Sequence, residues 1–191
     1  MMLILGLVVF LAVHSIAIVA PAWRDDMAAR YGALWQGGYS VVAALGLGLL
    51  VMGYGQARAE WGIVYIAPLW ARHLTVVGMV AVFPLLLAAY LPGRIQAALK
   101  HPMLVAVKLW AVLHLLANGG LADLALFGAF LAWAVVDRIS LRRRRPRIVP
   151  GLPQSKFNDL IAVVGGLALY ALFIFGGHQW LTGLPAVLSR A

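Results

Sequence analysis

The chain has 191 residues, of which 64% are hydrophobic and only 11% charged, and its mean hydropathy is +0.94. A water-soluble domain of this length has no core able to bury that much apolar surface, and the long continuous apolar runs exclude the short alternating segments of a β-barrel, so the chain reads as an α-helical integral membrane protein. The absence of cysteine excludes disulfides, thiolate metal ligands and cysteine nucleophiles, and most of the formal charge of +9 sits in one loop, which points to membrane topology rather than nucleic acid.

Six spans of about 20 residues are expected, the length required by a hydrocarbon core of about 30 Å. The first covers residues 2–20; it lacks the leading Lys or Arg of a signal peptide and reads as a retained anchor. The second runs over about 38–55, where Gly46, Gly48 and Gly53 favour close helix packing. The third runs over about 70–91 with a kink expected at Pro84. The fourth covers about 102–117, the fifth about 122–136, and the last about 160–176, followed by an interfacial tail from His178. The fold class is an all-α membrane helical bundle, a single transmembrane domain over 1–191 with no convincing internal repeat.

The cations orient this bundle. Eleven of the fifteen lie after spans one, three and five: Arg24, Arg30, Arg94, Lys100, Arg138, Arg142, Arg143, Arg144, Arg145, Arg147 and Lys156. Arg58, Arg72 and Arg190 lie on the other side. The positive-inside rule then puts both termini outside and the basic loop 138–158 in the cytoplasm, where it contacts anionic lipid.

Polar residues inside the spans carry the functional question. Neutral imidazole is the commonest metal ligand, and paired histidines across a bundle are a usual means of holding haem iron. His14 and His114 both lie within apolar runs, where either a ligand role or an inter-helix hydrogen bond accounts for them. His101 precedes Pro102 at the mouth of span four and suits a helix start as well as a ligand. His73 and His178 lie at helix ends, where an interfacial role suffices. Trp110, His114 and Asn118 are spaced four apart on one face of span four. Lys108 lies well inside the same span, where a cation costs about 3 kcal/mol on insertion scales. Asp123, Asp137 or an anionic group on a ligand, such as a haem propionate, are its expected partners. Asp137 also has Arg138 beside it for a local pair. No phosphate-cradling loop, zinc-protease motif or nucleophile elbow is present, and no carboxylate lies mid-span.

Several stretches resemble the NnrU family of bacterial inner-membrane proteins. They are LeuGlyLeuValValPheLeuAlaValHisSer (5–15), AlaProAlaTrpArgAspAspMet (20–27), TrpGlnGlyGlyTyrSer (35–40), TyrLeuProGlyArg (90–94), and LysHisProMetLeuValAlaValLysLeuTrpAlaValLeuHisLeuLeuAlaAsnGly (100–119). PheLeuAlaTrpAlaValValAspArgIleSer (130–140) completes the pattern, which spans residues 2 to about 143 in order. The resemblance implies a role supporting nitrite and nitric oxide reduction in denitrifying bacteria. It also implies kinship with 15-cis-ζ-carotene isomerases, membrane proteins with histidine-ligated haem b. On that basis His14 matches one ligand position, and His101 and His114 match further histidines of the shared pattern. The isomerases' other axial histidine falls in a later helix, where this chain reads LeuPheGlyAlaPheLeuAlaTrp (126–133) without one. The leading expectation is therefore haem b held through His14 and His114, with His101 in reserve and Lys108 or Arg94 near a propionate. The alternatives are a haem-dependent cis/trans isomerase of a lipophilic polyene and a haem-free scaffold for nitrogen-oxide reductase components.

Overall fold

A computed structural model describes residues 1–144 and 151–186. Arg145 and Arg147 of the basic run, and Arg190, lie outside the described residues. The described chain is helical, with no β-strand beyond an isolated bridge between Ile63 and Gly120. It divides into two compact units: Met1–Ile63 with Gly120–Arg145, and Val64–Gly119 with Pro146–Ala191.

The first unit contains α1 (Met2–Val19), α2 (Pro21–Tyr31), α3 (Ala33–Glu60) and α8 (Leu121–Ser140). Burial of apolar surface drives little inside a membrane, because lipid tails are as apolar as leucine; close packing takes over. The α1–α3 pair shows how. A Cβ added at Gly6 would meet the Leu50 backbone nitrogen at 2.7 Å, and one at Gly46 the Phe10 backbone nitrogen at 2.9 Å. At Gly53 it would overlap the backbone of Leu3. Gly46 and Gly53 are two turns apart, so the two backbones stay close along this face, and Leu3, Leu7 and Leu50 are buried beside them. Gly48, also expected to aid packing, faces open space. α8 packs against both α1 and α3. The segment expected to be a plain loop after span one is instead the helix α2, started by Pro21 and carrying no buried residue.

The second unit contains α4 (Leu69–Met79), α5 (Val82–Ala88), α6 (Arg94–Leu99), α7 (Pro102–Ala117) and α9 (Asn158–Leu172). α9 leads through a kink at Gly176, where the backbone leaves the helical region, into α10 (His178–Thr182). The α4–α5 span breaks at Val80 and Ala81, as its proline requires: Pro84 has no N–H for the Val80 carbonyl, and its ring crowds that oxygen. α5 packs on α9 through Ala88, Leu91 and Ala162. Thr75, buried on α4, donates to the Leu113 carbonyl of α7 at 2.7 Å, and Tyr170 of α9 donates to the Val76 carbonyl at 2.7 Å.

Two connections explain matching stretches of the sequence. Asp159 accepts hydrogen bonds from the backbone N–H groups of Arg94 (2.9 Å) and Ile95 (3.0 Å), while Asn158 donates to the Pro92 carbonyl at 2.8 Å. Gly93 stands where any Cβ would overlap the Asp159 carboxylate. The LeuProGlyArg turn is thus stapled to the start of α9. Lys100 joins α6 to α7 at φ 62°, with the His101 N–H bonded to the Leu99 carbonyl at 2.7 Å. That is a γ-turn of the strained hand, and it aims the chain into Pro102.

Four helices of the described chain are long and apolar enough to cross a membrane: Met2–Val19, Ala33–Glu60, the broken Leu69–Ala88, and Asn158–Thr182. α7 is apolar but only 16 residues, about 24 Å at roughly 1.5 Å per residue. α8 has 20 residues but carries Asp123, Asp137 and Arg138. Length and composition thus support four of the six expected spans and leave α7 and α8 short of that standard. Gly53→Leu is expected to destabilise by about 1–3 kcal/mol through overpacking, with Gly48→Leu near neutral. Thermal midpoints in detergent check this; equal losses would remove the close α1–α3 approach as the cause.

Candidate functional site

His14 lies on α1 one turn after Phe10. Its Nδ1 lies 2.7 Å from the Phe10 carbonyl oxygen. A carbonyl only accepts, so Nδ1 is the protonated nitrogen, and in the neutral ring Nε2 then carries the lone pair. That is the tautomer a metal ligand needs, held by the backbone contact that usually orients one. The ring is walled by aromatics from three helices. Phe10 stacks on it at 4.2 Å between centroids, Tyr39 of α3 meets it edge-on at 5.5 Å, and Trp133 of α8 edge-on at 6.0 Å. Phe130 of α8 packs on Phe10 at 5.5 Å. The Trp133 indole N–H is buried with no hydrogen-bond partner, an unspent donor beside the histidine. Three of the stretches that carried the resemblance, 5–15, 35–40 and 130–140, meet here.

His114 repeats the local arrangement in the second unit. Its Nδ1 donates to the Trp110 carbonyl at 2.8 Å, with the Trp110 ring 5.4 Å away. One turn on, the Asn118 backbone and side-chain N–H groups both donate to the His114 carbonyl, at 2.9 and 3.0 Å. Trp110, His114 and Asn118 therefore form one column along α7. Tyr65 closes its end by donating to the Asn118 carbonyl at 2.9 Å.

The other sequence candidates separate from these two. His101 is the N-cap residue of α7, its carbonyl accepting from Leu104 at 3.1 Å. His73 is exposed. His178 donates from Nδ1 to the Leu184 carbonyl at 2.8 Å, which ties off the end of α10. Lys108 is half-buried in α7 and forms no hydrogen bond or ion pair with the described residues. Among the described residues no three His, Asp or Glu side chains converge as a metal-binding group.

The carboxylates expected to partner Lys108 are engaged elsewhere. Asp123, buried at the start of α8, accepts a hydrogen bond from the Tyr54 hydroxyl and lies 3.9 Å from the Arg58 guanidinium. Its second oxygen accepts from the Gly120 N–H at 2.9 Å, closing the helix N-terminus. Asp137 pairs with Arg144, whose side chain is 10% exposed, and not with its neighbour Arg138. Arg144 also donates to the Ala17 carbonyl at 2.8 Å, one of the four carbonyls left open at the end of α1. The sequence reads Arg144 as part of a basic run that sets topology and contacts anionic lipid; nothing in a run of four arginines marks which one turns inward.

Arg144→Met is expected to cost about 3 kcal/mol, because a largely buried carboxylate loses its partner, and Arg144→Met with Asp137→Leu to recover most of that. Thermal midpoints of wild type, single and double variant in detergent test this. A double variant no better than the single one would sink the pairing.

Comparison with known proteins gives one result: the family described as NnrU protein matches residues 2–186. No curated protein and no solved structure matches the chain.

Proposed function

The chain belongs to the NnrU family, and from that premise we propose that it is a multi-span inner-membrane protein supporting nitrite and nitric oxide reduction, with haem b bound at His14. The observation that carries the reading is the fixed His14 tautomer within its aromatic wall. Haem is the group implied by the family's kinship, and the residues fit it. His14 offers a bare Nε2, Phe10 holds that ring by its carbonyl, and Phe10, Tyr39, Phe130 and Trp133 provide an apolar enclosure. The unspent Trp133 N–H supplies a donor for a polar atom of the bound group. Haem held there would supply one-electron chemistry. Phe10 would fix the ligand nitrogen through its carbonyl, and Trp133 would present one hydrogen-bond donor.

His114 has the same tautomer and is the other proposed ligand histidine, with His101, at the N-cap of α7, in reserve. Helix α8 turns Phe130 and Trp133 towards the His14 region and offers no histidine there, which weighs against the isomerase's ligand pattern.

Absorption spectra test the reading. Protein from cells supplied with haem precursor is expected to show a Soret band, and His14→Ala to reduce bound haem at least about tenfold, since losing even an outer-shell partner costs about 10–100-fold in affinity. His114→Ala run in parallel shows whether that residue also holds iron. No haem in the wild type would leave the scaffold role and end this proposal. Turnover of a cis-carotenoid by reduced holoprotein would reassign it as an isomerase.

The proposed orientation places the termini in the periplasm and the basic loop in the cytoplasm. Because the chain has no cysteine, single introduced cysteines report topology cleanly. Gly62→Cys is expected to react with a membrane-impermeant maleimide in intact spheroplasts, and Ser155→Cys only after permeabilisation. The reverse pattern would invert the topology.

A further inference from the structure

Lys108 is a cation well inside the apolar helix α7 to which the function above gives no role. It is the seventh residue of α7, so its Cα lies about 9 Å along the helix from Pro102. Five of the six carboxylates have donors of their own. Asp25 and Asp26 pair with Arg24 and Arg30, Asp123 with Tyr54 and Arg58, Asp137 with Arg144, and Asp159 with two backbone N–H groups. Glu60 is exposed at the end of α3 and pairs with no described residue. The chain's own anions therefore leave the Lys108 ammonium without a counter-charge among the described residues.

Its surroundings say what kind of anion would reach it. Helical spacing puts Val105, Lys108, Val112 and Leu116 on one stripe of α7. Val112 is 41% and Leu116 37% exposed, whereas the residues on either side of the stripe, Leu104, Ala106, Ala111 and Leu113, are buried. An apolar stripe left open on a membrane helix faces acyl chains. A lysine within it stabilises its charge by extending its four-carbon stem towards the headgroup layer, on the side of the α6–α7 turn. Charge and apolar surface thus occur on the same stripe in the order of an anionic lipid, phosphate first and hydrocarbon beyond.

We propose that Lys108 binds the phosphate of an anionic phospholipid whose acyl chain lies along Val112 and Leu116. The site is separate from the bulk attraction of the basic loop, because it holds a defined lipid and not a diffuse ion atmosphere. The proposal does not depend on haem.

Native mass spectrometry of the full chain, released from mixed phosphatidylglycerol and phosphatidylcholine nanodiscs, tests it. Wild type is expected to retain one phosphatidylglycerol with about tenfold preference, the discrimination of one charge-assisted contact. Lys108→Met is expected to lose that preference, and Lys108→Arg to keep it. Arg142→Gln with Arg143→Gln is expected to keep the single bound lipid while losing weaker adducts. Lys108→Met removes an unpaired cation from an apolar helix and is expected to fold. Should it fail to, the wild-type thermal midpoint in phosphatidylglycerol against phosphatidylcholine detergent micelles gives the answer without a variant, equal midpoints counting against the site. Preference unchanged in Lys108→Met, or lost only in the double arginine variant, would overturn the proposal. So would full displacement of the lipid by inorganic phosphate, loss of a bound carboxylate ligand in Lys108→Met in place of lipid, or loss of a dimer with no lipid involved.

Discussion

Hydrocarbon offers no hydrogen-bond partner, and that deficit governs where this chain's polar side chains point. The commonest solution is the carbonyl one turn back along the same helix. His14 takes the Phe10 oxygen, His114 the Trp110 oxygen, Asn118 the His114 oxygen, and Thr75 has the Ala71 oxygen 2.9 Å away. Thr75 also reaches the Leu113 carbonyl and Tyr170 the Val76 carbonyl, so the same constraint joins helices within the second unit. Where the group is charged, a carbonyl cannot finish the task, and Asp123 and Asp137 instead draw on hydroxyl and guanidinium donors. Polar residues here act as joints between apolar rods that would otherwise have little to tell them apart from lipid.

That solution has a chemical by-product. A histidine tied through Nδ1–H to its own helix is fixed in one tautomer and one ring orientation, with its basic nitrogen directed away from the backbone. The arrangement that satisfies a buried imidazole is the arrangement that prepares it to bind metal, so a structural and a ligand role do not compete at His14. What tilts the balance is the wall. Aromatic rings from α1, α3 and α8 converge on this ring, and an indole donor is left unspent beside it.

Much of this was legible in the sequence wherever the signal was local. Hydropathy located the helical segments, Pro84 the break at Val80, and Gly46 and Gly53 the close face of α3; the spacing of Trp110, His114 and Asn118 foretold their column. What escaped was long-range or depended on one member of a uniform group. α2 reads as a polar loop because an interfacial helix with no buried residue has no apolar period to detect. Arg144 is indistinguishable from its neighbours until the end of α1 arrives to offer Ala17. The fixing of the LeuProGlyArg turn by Asn158 and Asp159 spans more than sixty residues of sequence. The last span, beyond the stretches that carried the resemblance but within the matched residues 2–186, holds one of those turns in place.

Arg144 and Lys108 show how two cations among apolar helices divide into different kinds. Arg144 is neutralised by Asp137 and spends a further donor on a helix end, so its charge is consumed within the unit and its role is to hold α1 and α8 together. A guanidinium suits that work because its fork serves two acceptors at once. Lys108 carries a single compact charge on a flexible four-carbon stem, and its helix gives it no acceptor among the described residues. An unneutralised ammonium in an apolar stripe is relieved by extending its stem to the headgroup layer or by an anion that meets it there. The burial of a charge therefore carries no functional meaning by itself; the distinction lies in whether the protein supplies the counter-charge, and for Lys108 the described residues do not.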